Sequence, residues 1–117
     1  MIKFTKYLID EFEHTSEGGS IKFFRSHSAY GYIIWLEILF NYLNNQKITV
    51  EKIIKKGEKY SSRRRIVNFL NLAEKKGYIY KVKSISDKRN TYITPSKVTI
   101  NEYLDWANKF QNFIIKK

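Results

Sequence analysis

The hydrophobic period of this chain changes at Gly77, and that change limits its fold more than any other feature. Before Gly77, apolar residues return every three or four positions, as a helix burying one face requires. After it, Tyr78, Tyr80 and Val82 alternate with Ile79, Lys81 and Lys83, as a strand requires. A second alternating run, residues 91–94, follows a polar tip at residues 84–90 and stops at Pro95, whose ring cannot donate a further ladder bond. One hairpin among helices is expected, an α+β fold that is mainly α. A chain of 117 residues, against the usual ~100 to 200 per domain, makes a single domain over residues 1–117.

The helices follow from stripes and stops. Phe4, Tyr7, Leu8 and Phe12 form one face of a helix within residues 1–17, with Lys6, Asp10, Glu11 and Glu13 on the other. Residues 16–20, with Gly18 and Gly19, read as a short loop. Ser28 is a plausible N-cap for a helix over residues 28–44, apolar nearly all round and ended by Asn44 and Asn45. Thr49 caps a short helix through Val50, Ile53 and Ile54, and Gly57 is expected to end it in the left-handed region. Ser61 or Ser62 caps the next helix; Ile66, Phe69, Leu70 and Ala73 form its inner stripe, Leu72 faces outward, and Gly77 stops it. Two helices joined around Gly57 make a helix-turn-helix. Thr99-x-x-Glu102 reads as a capping box opening a last helix at residues 99–115, with Tyr103, Leu104, Ala107, Phe110 and Ile114 along one side.

Composition excludes several classes. A chain that is 43% apolar with 1 Pro closes a core and is not globally disordered. The absence of Cys removes disulfides, thiolate zinc and thiol chemistry, and fits a reducing, cytoplasmic setting. The longest apolar run, residues 29–40, is broken by Gly31 and Glu37 and falls short of the ~18 to 20 residues that span a bilayer. The first ten residues do not resemble a signal peptide. His14 lies one turn from Asp10 and His27 stands between two serines; neither has the three or four ligands a zinc ion needs. Gly18-Gly19 lacks a preceding strand and the spacing of a nucleotide cradle. The chain therefore reads as a non-enzyme without cofactor.

Charge points to a partner. The chain carries 22 Lys and Arg against 11 Asp and Glu. Residues 47–97 alone hold 15 against 4, which accounts for the whole net charge of +11. Lysine-rich coding would spread that excess evenly, so its concentration favours a polyanion, nucleic acid first. Ser61, Ser62, Arg63, Arg64 and Arg65 crowd the first turn of the second short helix, where a positive side chain opposes the helix dipole. Phosphates and guanine edges are the natural reward for guanidinium forks placed there. Asn68 extends the same face toward adenine, and Val67 toward a thymine methyl. Lys55, Lys59, Lys81 and Lys83 are candidates for phosphate contacts, and the tip with Asp87, Lys88 and Arg89 has the shape of a minor-groove probe.

These residues resemble the winged-helix regulators of the MarR (multiple antibiotic resistance regulator) type. Ile48-Thr49-Val50 with Ile53, then Ser62 to Arg65, Asn68, Leu70 and residues 74–79, are similar to the family's capped helix and recognition helix. Asp87-Lys88-Arg89 followed by Tyr92-Ile93-Thr94 is similar to its wing signature. The resemblance covers Ile48 to Lys97, within an expected helix-turn-helix and wing over residues 47–97. It implies a homodimer on a palindromic operator, with Ser62, Arg63, Arg64, Arg65 and Asn68 in the major groove and Arg89, steadied by Asp87, in the minor groove. The dimer is expected from the terminal helices, through Phe4, Tyr7, Leu8, Phe12, Tyr103, Ala107, Phe110 and Ile114. It also implies a small aromatic effector, for which Tyr30, Trp35 and Tyr103 are candidates, though aromatics at helical spacing are more often plain core. Two rivals remain from the residues: a winged-helix module for protein or RNA, and a DNA-binding accessory factor of replication or of a mobile element.

Overall fold

The computed structural model describes residues 1–15, 19–26, 28–86 and 90–115, the side chains of residues 14, 15, 28 and 113–115 excepted. Its elements run α1 (Ile2–Thr15), α2 (Gly19–Arg25), α3 (Ser28–Leu43), β1 (Ile48–Thr49), α4 (Val50–Gly57), α5 (Arg63–Lys75), β2 (Ile79–Lys83), β3 (Thr91–Pro95) and α6 (Lys97–Ile115). The two strands of the expected hairpin pair antiparallel, Ile79 opposite Pro95 through Lys83 opposite Thr91. A third strand, β1, adds to the other side of β3, so the sheet order is β1-β3-β2. No described helix is long and apolar enough to cross a membrane.

The core gathers around α3, whose Ile34, Trp35, Ile38 and Leu39 are buried, as an almost wholly apolar helix must be. Ile53 and Ile54 of α4, the inner stripe of α5, and Ile48, Ile79 and Ile93 of the sheet close on it. Tyr80 and Val82, on the alternate positions of β2, are exposed. Trp35 lies edge-on to Tyr103 and Trp106, and its buried Nε1 has no hydrogen-bond acceptor among the described residues.

Three local features depart from the expectations. Residues 16–18 of the expected loop lie outside the described residues; α2 begins inside that loop, taking Gly19 and Ser20 into its first turn, and no stripe announces it because it is only seven residues long. It buries Phe24 fully and stacks Phe23 on Phe69 at 4.9 Å. Its first turn is capped from afar. The Ser20 N–H and hydroxyl both donate to Glu102 Oε1, at 2.9 and 2.5 Å, and Gly19 at φ +80 leaves the space that carboxylate fills.

That use of Glu102 overturns the capping box. α6 starts two residues earlier than expected, with the Ser96 hydroxyl accepting from the Thr99 N–H at 3.4 Å and its carbonyl from Ile100 at 3.0 Å. Thr99 instead donates to the Tyr78 carbonyl at 2.7 Å. Gly57 is the third correction. It has no positive φ, and its bareness serves packing: a Cβ there would lie 2.8 Å from Ile66 Cδ1 and 3.2 Å from Ile34 Cδ1.

The other stops are as expected. Gly77, at φ +80, ends α5 with its own N–H on the Glu74 carbonyl and the Tyr78 N–H on the Ala73 carbonyl, the paired bonds of a Schellman ending. Asn45, at φ 56, ends α3 in the same way, a conformation that asparagine tolerates better than most residues.

Candidate nucleic-acid interface

The surface begins with two caps. The Thr49 hydroxyl accepts from the Lys52 N–H at 3.1 Å, and the Ser62 hydroxyl accepts from the Arg65 N–H at 3.3 Å. Each satisfies a donor that the first helical turn leaves without an intrahelical partner. Ser62, not Ser61, is the cap of α5; Ser61 is half-buried in the turn before it, its N–H on the Gly57 carbonyl at 3.1 Å. These caps aim the first turn of α5 outward, so Arg63, Arg64, Arg65 and Asn68 are exposed while Ile66, Phe69 and Leu70 anchor the opposite face. Val67 is half-buried against the core. Leu72 stays partly exposed on the outer side, and nothing in the structure explains it.

The three arginines are not equivalent. Among the described residues Arg64 and Arg65 have no ion pair or hydrogen-bonded side-chain partner. Arg63 has two carboxylates: its Nη1 and Nη2 donate to Glu51 Oε1 and Oε2, each at 2.7 Å, and Glu58 Oε1 lies 3.7 Å from Nη1. The hydrogen bond from Arg63 holds the Glu51 carboxyl below its ordinary range, and the same bond pushes the Arg63 guanidinium up. Neither partner was legible from sequence, because Glu51 stands twelve residues before Arg63 and only the turn around Gly57 brings them together.

The lysines divide similarly. Lys55 and Lys59 are exposed on and after α4, with Lys52 on the same helix a further cation that the residue pattern did not single out. Lys56 pairs with Glu37 at 3.6 Å. The Lys81 ammonium donates to Asn71 Oδ1 at 2.5 Å and sits 3.6 Å from Glu74, whereas Lys83 is exposed. Asp87, Lys88 and Arg89 lie outside the described residues.

A cleft of about 370 Å³ joins the two halves of this surface. Its lining includes Glu51 and Arg63 from the helix-turn-helix and Lys81, Asn90 and Thr91 from the hairpin. A wider groove of about 530 Å³ lies beyond β3, with Tyr42, Lys47, Val82, Ile85 and Tyr92 among its lining residues. Lys47 Nζ lies 5.5 Å from the centre of the Tyr92 ring there, within cation–π range. Among the described residues no group of His, Asp and Glu could hold a metal ion; the side chain of His14 and all of His27 lie outside them.

The residues expected to build a dimer partly meet one another inside the chain. Phe4 and Tyr7 of α1 pack edge-on to Phe110 of α6 at 6.0 and 5.9 Å, and Tyr103 packs on Trp35. Ala107 is half-buried, and the side chain of Ile114 lies outside those described. Leu8 and Phe12 remain 39% and 56% exposed, and Leu104 is exposed beside them in kind. The aromatics proposed for an effector pack against the core: Tyr30 packs on Phe69 at 5.4 Å, Trp35 is 1% exposed, and Tyr103, packed on Trp35, also lines a groove beside Leu36, Phe40, Leu43 and Asn44.

No family model matches the chain, and no curated protein matches its sequence. Solved structures do resemble it. The transcriptional regulator Tm0710 of Thermotoga maritima is similar with a TM-score of 0.56 and 13% identity, over 71% of this chain and 57% of that one, so this chain spans less than two thirds of its length. A MepR point mutant from a multidrug resistant S. aureus clinical isolate is similar with a TM-score of 0.61 and 16% identity, over 96% of this chain and 79% of that one. A second S. aureus MepR mutant, bound to an oligodeoxyribonucleotide, is similar with a TM-score of 0.53 and 15% identity, over 97% and 83% of the two chains. These neighbours are transcriptional regulators of the MarR family, and what they share with this chain is the winged-helix fold.

Proposed function

We propose that this chain is a MarR-type winged-helix regulator that binds double-stranded DNA, as a homodimer, at a palindromic operator. The observation that carries the reading is the first turn of α5. It is fixed by the Ser62 cap and the Gly57 contact, it presents Arg64 and Arg65 without ion-pair or side-chain hydrogen-bond partners among the described residues, and it belongs to the segment that holds the entire net charge. Guanidinium forks so placed match the O6/N7 edge of guanine and phosphate oxygens. Asn68, one turn further along the same face, reads an adenine edge, and Ser61 and Ser62 keep the turn close to the backbone. Lys55, Lys59 and Lys83 flank this face and neutralise phosphates. Arg89 follows the hairpin into the minor groove, Asp87 restricting it and Lys88 adding charge. The S. aureus neighbour bound to an oligodeoxyribonucleotide supports the class of partner.

Titration of a labelled duplex at several salt concentrations tests this. Binding should weaken with a log-log slope of about −0.9 per phosphate neutralised, and duplex should be preferred to single-stranded RNA of equal length. Equal affinity for the two, or binding that salt does not change, would instead favour a module for RNA or protein.

A further inference from the structure

The cations that line the cleft between the helix-turn-helix and the hairpin are already neutralised from within. Arg63 gives both terminal nitrogens to Glu51 and has Glu58 at 3.7 Å. Lys81 is held by Asn71 and Glu74, and Glu74 also accepts from the Lys81 backbone N–H at 3.3 Å. Arg63 and Lys81, the two cations of the cleft lining, are thus each already engaged by carboxylates, Glu51 and Glu58 for one and Glu74 for the other. A phosphate entering the cleft would meet the Glu51 carboxylate and would have to displace existing bonds to gain either cation.

We infer that Arg63 and Lys81 are positioning residues, and that the cleft they line is a gap in the phosphate contacts, lying beneath a groove of the duplex with the backbone on either side. This rests on the proposed DNA-binding reading and divides its basic residues into two kinds. Arg63 ties the first turn of α4, through Glu51, to the first residue of α5. It thereby sets the angle at which α5 is presented. Its place at a helix start, unfavourable for a cation on dipole grounds, is compensated by a carboxylate that both helix N-termini favour. Lys81 fixes β2 to the far end of α5 in the same manner. Phosphate contacts then fall to Lys55 and Lys59 on one side and Lys83 on the other, with Arg64 and Arg65 between them.

The salt dependence of duplex binding separates the two kinds. Lys55→Ala and Lys83→Ala should each make the log-log slope shallower by about 0.9 per protomer, about 1.8 for the bound dimer. Arg63→Ala and Lys81→Ala should leave the slope as it is while weakening binding severalfold at every salt concentration. Glu51→Gln should release Arg63 to a flanking phosphate and steepen the slope by about 0.9 per protomer, about 1.8 for the bound dimer. A slope that becomes shallower in Arg63→Ala and does not move in Glu51→Gln overturns the inference. Amide exchange of residues 58–62 in the DNA-free protein supplies a readout that needs no DNA: Arg63→Ala should speed it within that turn and leave the α3 amides unchanged. Exchange unaltered in both Arg63→Ala and Glu51→Gln overturns the positioning role. Wild type that binds no duplex at all overturns the proposed function while the exchange result still decides the role of Arg63.

Discussion

Gly57 has no side chain at the place where Ile66 and Ile34, both fully buried, meet the end of α4. The Gly57→Ala variant should therefore destabilise by about 1 to 3 kcal/mol, the usual cost of overpacking a closed core. Gly77→Ala meets nothing within 4 Å but must hold φ +80, at about 1 to 2 kcal/mol. Urea titration of both variants checks this, and a Gly57→Ala midpoint equal to wild type would show the contact to be soft. On the binding face, Arg64→Ala should cost about 1 to 3 kcal/mol and relax preference at one base pair. A uniform loss over all sequences would make Arg64 a phosphate anchor. Glu51 adds a pH dependence whose sign follows from its lowered carboxyl. The pair with Arg63 is present above the ordinary carboxylate range and is lost as pH falls through the lowered value. Protection of the α4–α5 turn amides, taken relative to their intrinsic exchange rates, should hold near neutrality and be lost only below the ordinary carboxylate range; loss of protection near neutrality would assign it to another group. The exposed arginines were legible because a cation at a helix start contradicts the dipole. The different fate of Arg63 was not, since its partners come from another helix and a turn.

At the scale of elements, legibility followed locality. Thr49, Ser62, Gly77 and Asn45 are local signals, and each acts at its expected helix end. α2 was missed because its stability comes from Phe23 and Phe24 packing on Phe69 and Tyr78 and from a cap supplied by Glu102, 82 residues away. β1 is two residues long and exists only through β3, and the start of α6 depends on Tyr78 accepting from Ser96 and Thr99. The docking of α1 is equally non-local. Glu11 accepts from Arg25 at 2.5 Å and from Trp106 Nε1, and the Arg25 guanidinium lies 5.3 Å from the Phe12 ring. Removing one partner of a fully buried pair costs about 3 to 5 kcal/mol. Glu11→Gln should cost less, because the Arg25 side chain keeps 19% exposure. Unfolding followed by tryptophan fluorescence should show a lowered midpoint; an unchanged one would mean that α1 is held by its apolar face alone.

At the scale of the molecule, two asymmetries define what the chain presents to others. Its charge lies in residues 47–97. Its exposed apolar surface on the terminal helices, Ile2, Leu8, Ile9, Phe12 and Leu104, lies elsewhere in the sequence. The radius of gyration of 15.4 Å exceeds the roughly 13 Å of a compact chain this long, so the molecule is extended and offers surface that a second copy would cover. Sedimentation should give a dimer at micromolar concentration that Phe12→Asp dissociates; a monomer at tens of micromolar, indifferent to that change, would remove the homodimer from the proposal. Two copies would set their α5 helices about one helical turn of DNA apart, ~34 Å. The most direct test of the whole account is selection of bound duplexes from a randomised library by the wild-type protein. The account predicts enrichment of a two-fold symmetric motif, its half-sites about 10 base pairs apart, with Arg64→Ala losing preference at one position of each half-site. Recovery of a library with no enriched motif would contradict it.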